Sequence, residues 1–79
     1  MLTVINNRKR GENMNKQVGE RIRQRRKDLR MNQDVLAEKS KLSRATISAI
    51  ENGKYENVLV KTLSSIAVAL DATVDFFLR

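Results

Sequence analysis

Residues 32–53 read Asn32-Gln33-Asp34-Val35-Leu36-Ala37-Glu38-Lys39-Ser40-Lys41-Leu42-Ser43-Arg44-Ala45-Thr46-Ile47-Ser48-Ala49-Ile50-Glu51-Asn52-Gly53. Two helix starts lie inside this stretch. Asn32 is a good N-cap, and Asp34 in the following turn suits the positive end of a helix dipole. Val35 and Leu36 give this helix a short apolar face and Ala37 a small contact, over about two turns ending near Lys39 or Ser40. Ser43 is a strong second N-cap, flanked by Leu42 and Ile47 at the spacing of a hydrophobic staple. Ile47 and Ile50 point one way, whereas Arg44, Ala45, Ser48, Ala49 and Asn52 share the opposite face. Gly53 is a natural stop after Asn52. The stretch thus predicts helices over Gln33–Ser40 and Arg44–Asn52, with a tight turn between them.

Upstream, Val18, Ile22 and Leu29 fall on one face of a 3.6-residue period and predict a first helix over about 15–29. Basic side chains cover its outer face, with Arg26 close to the apolar stripe. Residues 1–14 read as a flexible basic arm. Asn6, Asn7, Gly11 and Asn13 break any apolar period there, and Arg8-Lys9-Arg10 is a basic cluster. Met14 could serve as an alternative translation start, which would make the first 13 residues optional. Downstream, a loop from Lys54 to about Val60 leads to a helix marked by Leu63, Ile66, Ala67 and Leu70. Thr73 can cap a final short helix carrying Val74, Phe76, Phe77 and Leu78. Five helices and no convincing strand make an all-α domain over 15–79.

Composition narrows the chemistry. The 79 residues contain no Cys, His or Pro, which removes disulfides, thiol nucleophiles, imidazole metal sites and every His-dependent triad. No carboxylate pair has the support of a pocket, a metal-ligand spacing or a Gly-rich phosphate loop, so neither an enzyme nor a cofactor is expected. The longest apolar run, Ile66 to Leu70, is far short of a membrane span, and the N-terminus lacks the apolar stretch of a signal peptide. A cytoplasmic protein is expected. The net charge is +7, and all of that excess sits in residues 1–30, which hold ten basic and three acidic residues. A one-ended basic surface fits a polyanion binder, or simply a solvated helix face.

Two short helices joined by a tight turn are a helix-turn-helix. Its second helix can project into a major groove about 12 Å wide while the first bridges the backbone. Small residues such as Ala45, Ser48 and Ala49 allow close approach to base edges. The 32–53 stretch, continued through Thr62-Leu63, Ile66-Ala67-Val68-Ala69-Leu70 and Val74-Asp75-Phe76-Phe77, resembles the lambda-repressor/Cro helix-turn-helix family, also called the XRE family. The resemblance covers about residues 17–78. It implies a five-helix fold, a bacterial or phage-encoded regulator such as a repressor, and a homodimer on a pseudo-palindromic operator in double-stranded DNA.

Residue by residue, the resemblance implies that Arg44, Ala45 and Ala49 face bases. Ser48 shares that face, and the sequence leaves open whether it caps locally or reaches DNA. Gln33, Ser43, Thr46 and Asn52 would contact phosphates, with Lys54, Arg26 and other first-helix arginines as further candidates. Arg26 would also pair with Glu51 across the core edge. Phe76, Phe77 and Leu78 exceed what one short helix can bury, so they divide between core closure and a twofold contact. The chain departs from the family at Arg30, Lys41 and Asp71, where Gly or Asn usually favours a left-handed turn. Two other roles use the same domain: an antitoxin with a toxin partner, and the controller protein of a restriction-modification system.

Overall fold

The computed structural model describes the chain except residues 1, 56, 57 and 79, with no side chain described before Asn15. It is built of five helices: α1 Leu2–Asp28, α2 Gln33–Ser40, α3 Arg44–Glu51, α4 Val60–Ala69 and α5 Val74–Leu78. No strand occurs among the described residues, and no helix there is long and apolar enough to cross a membrane. α1 runs back through residues 2–14, where an arm was expected ahead of a helix over about 15–29, while the side chains there, those of Arg8, Lys9 and Arg10 among them, lie outside the described ones.

Local sequence explains where the helices start. Asn32 is extended, and its Oδ1 accepts the Val35 N–H at 2.8 Å. The Ser43 Oγ accepts the Thr46 N–H at 3.0 Å, and the Thr73 Oγ1 accepts that of Phe76 at 3.2 Å. Each bond satisfies a donor that the first turn of a helix leaves without an intrahelical partner.

The ends share one device. After α1, α2, α3 and α4 the chain turns through a left-handed residue: Arg30 (φ 55°), Lys41 (φ 61°), Gly53 (φ 71°) and Asp71 (φ 53°). At each, that residue's N–H reaches back three positions and the next N–H reaches back five. After α2, for example, Lys41 donates to Glu38 at 3.2 Å and Leu42 to Ala37 at 2.9 Å. This is the Schellman arrangement. Three of the four ends accept it without glycine, at a cost of about 1–2 kcal/mol each. The following residues Met31, Leu42 and Ala72 pack against the core, an apolar contact that accompanies the turn.

The core is Val18 and Ile22 of α1, Leu36 and Ala37 of α2, Ile47 and Ile50 of α3, Leu63, Ile66 and Ala67 of α4, with Leu70 and Phe77. Full burial of one such large side chain contributes about 1.5–3 kcal/mol. α3 packs on α1 and α2, α4 packs on α2 and α5, and α1 also meets α5. Leu29 does not join, contrary to its apolar spacing. α1 ends at Asp28, so Leu29 leaves the helical period and stands exposed.

Candidate nucleic-acid interface

α3 is held on one side and open on the other. Ile47, Ile50 and Glu51 are buried, Arg44 and Ala45 are exposed, and Thr46, Ser48 and Ala49 are half-buried. The open face therefore begins with a charged fork and continues through small side chains. Beside it stands the start of α2, with Gln33 and Asp34. At its far end come Asn52 and the exposed Lys54.

Beneath this face lies a polar network centred on Glu51, whose side chain is 0% exposed. Arg26 donates from Nε to Glu51 Oε2 at 2.7 Å, from Nη2 to Oε1 at 3.0 Å and from Nη1 to the Met31 carbonyl at 2.8 Å. Gln33 Nε2 donates to Glu51 Oε1 at 3.1 Å, and Arg23 Nε lies 3.5 Å from the same oxygen. Burial alone would raise the Glu51 carboxyl pKa. The hydrogen bonds from Arg26 and Gln33, the Arg26 charge and the Arg23 contact outweigh it and hold the pKa below its ordinary value. Glu51 is therefore a buried anion with its donors in place, tying α1, α2 and α3 together under the open face.

The structure separates the two roles expected of Arg26. It brings Arg26 and Glu51 together, but the arginine side chain is only 11% exposed and all three of its nitrogens donate within the protein. That withdraws it from the surface a phosphate would meet. Gln33 is similarly engaged through one amide N–H, although it remains half-exposed. Ser43 and Thr46 bond each other, with the Ser43 hydroxyl donating to Thr46 Oγ1 at 2.8 Å. Asn52 sits at the end of α3, where its Oδ1 accepts from Arg23 Nη2 at 2.6 Å.

The picture of basic side chains covering the outside of α1 also needs correction. Arg25 donates to the carbonyls of Leu70 at 3.0 Å and Asp71 at 3.2 Å, at the end of α4. Arg23 and Arg26 turn to α3. Three arginines of α1 thus join helices, while Lys16, Lys27 and Arg30 stay exposed. Phe77 is 0% exposed and closes the core, so it is no surface contact. Phe76 (42% exposed) and Leu78 remain outside, with the two rings edge to face at 5.1 Å.

Sequence reasoning passed over Gly19, and it counted Arg23 only among the first-helix arginines facing phosphate, not as a partner of Glu51 and Asn52. Gly19 and Arg23 belong to the α1 face that meets the end of α3, as does Arg26, and the three follow the helical spacing i, i+4, i+7. A small residue and two donors at that spacing were the available signal.

A family model described as helix-turn-helix matches residues 22–77. The chain belongs to that family. With membership comes its coarse function, DNA binding in transcription regulation. Among solved structures, the restriction-modification controller protein C.AhdI from Aeromonas hydrophila is similar, with 29% identity and a TM-score of 0.75. That match covers 78% of this chain and 92% of the controller. The fold is also shared with apo-HppE, at 23% identity and a TM-score of 0.75, covering 82% of this chain and 36% of that one. No curated protein sequence matches.

Proposed function

We propose that the chain is a repressor that binds a specific double-stranded DNA site as a homodimer, one α3 per half of a pseudo-palindromic operator. The open face of α3 carries this reading: an exposed arginine followed by small side chains, on a helix fixed from below by Glu51. Arg44 reads a guanine edge, the commonest specific contact of arginine in a major groove. Ala45, Ser48 and Ala49 line the approach to neighbouring bases. Gln33, Ser43, Thr46, Asn52 and Lys54 meet phosphates around that face. Phe76 and Leu78 are available for the twofold contact, which would set half-sites about one helical turn apart. The exposed Lys16 and Lys27 of α1, with Arg30 just beyond its end, add sequence-blind, salt-dependent affinity.

Selection of bound sites from random double-stranded DNA, followed by a salt titration, tests this. A symmetric motif is expected. Arg44→Ala should cost about 1–3 kcal/mol and relax preference at one base position. Enrichment of no symmetric motif, or equal weakening on selected and scrambled DNA, overturns the base-reading role.

The likeness to a restriction-modification controller, along nearly that protein's whole length, favours a second reading as a controller. A reporter driven from a promoter beside the selected site separates the two. Repression supports the first reading, and activation supports the controller.

A further inference from the structure

Arg44 and Asp34 stand on different helices, at the starts of α3 and α2, yet Arg44 Nε lies 3.6 Å from Asp34 Oδ1. Both side chains are largely exposed, at 66% and 68%. A carboxylate beside a DNA-reading surface is a liability, because it repels phosphates. A pair this open contributes little to folding. What the carboxylate can do is orient the guanidinium. It engages the Nε side, and no described residue occupies the Nη pair, the edge that matches guanine O6 and N7.

We propose that Asp34 is a positioning residue for base recognition: it holds Arg44 with its Nη edge outward, and so sharpens discrimination at the base pair Arg44 reads. This rests on the base-reading role proposed for Arg44. The attraction is weak in open water and strengthens as DNA excludes water from the site. The negative charge also disfavours unrelated DNA, so both effects act on specificity.

The test uses the full chain, the site selected from random DNA, copies with each base pair changed, and an unrelated duplex. Asp34→Asn should bind the unrelated duplex more tightly. Its discrimination at the Arg44 position should fall by about three- to tenfold, with other positions unchanged. In an Arg44→Ala background, Asp34→Asn should leave the discrimination profile unaltered. Asp34→Ser, which keeps a residue suited to a first helical turn, should repeat the result if Asp34→Asn disturbs α2. A uniform gain on selected, altered and unrelated DNA reduces Asp34 to a bare charge effect and overturns the proposal. So does a loss of discrimination that persists without Arg44. Enrichment of no site at all would bring down the base-reading role itself, a distinguishable failure.

Discussion

Gly19 of α1 passes so close to the end of α3 that a Cβ on it would lie 2.3 Å from the Ile50 carbonyl oxygen and 2.7 Å from that of Glu51. The obstructing atoms are backbone, so no rotamer change relieves the clash and the two helices must part. Gly19→Ala gains about 1 kcal/mol of helix propensity. Overpacking of this kind typically costs about 1–3 kcal/mol, occasionally more, and backbone contact places it at the upper end. The expected outcome is a net loss of about 2 kcal/mol, read as a lower urea midpoint at unchanged slope. A variant as stable as the parent would contradict the close crossing.

Glu51 makes stability depend on pH. Its carboxyl pKa is lowered by folding, so the unfolded chain holds the proton more tightly than the folded one. The stabilisation is present above the ordinary value of 4.5 and is lost as pH falls through the folded value. Glu51→Gln leaves the Arg26 guanidinium largely buried without its anion, a loss of about 3–5 kcal/mol near neutral pH. In parallel melts, the gap between parent and variant should narrow as the solution is acidified below 4.5. A constant gap would place the carboxylate outside the linkage.

Lys41 adopts a left-handed conformation at φ 61° in the turn between α2 and α3. Glycine there removes the Cβ penalty of about 1–2 kcal/mol, offset in part by the greater freedom of glycine in the unfolded chain. Lys41→Gly should stabilise by about 0.5–1 kcal/mol. Changing Arg30 and Asp71 as well should add further stability, since each turn is closed by its own pair of backbone hydrogen bonds. Chemical denaturation of the single and triple variants checks both statements.

Adjacent phenylalanines should behave differently. Phe77→Ala empties a fully buried site and should cost about 3–5 kcal/mol. Phe76→Ala removes an exposed ring and should change stability by less than about 1 kcal/mol at a concentration where the chain is monomeric. Combined with Leu78→Ala, it should weaken self-association in sedimentation while leaving the helical signal intact. Undiminished association would move the twofold contact elsewhere.

The sequence by itself determined what is local. Asn32, Ser43 and Thr73 mark helix starts because a cap acts over three residues. Ile47 and Ile50 are separated from Arg44, Ala45 and Ser48 by helical periodicity alone. The same short-range patterns carried the helix-turn-helix resemblance, and with it the open face of α3. Only the tertiary structure decided where the charges of α1 go, because their partners are far away in sequence. Arg26 and Arg23 find Glu51 25 and 28 positions on, and Arg25 finds Leu70 at 45. It also ranked neighbouring apolar residues, burying Phe77 and leaving Phe76 and Leu29 outside, since burial depends on which elements meet. The close approach at Gly19 is of that kind: the residue type was visible, but the reason for it is the backbone of another helix.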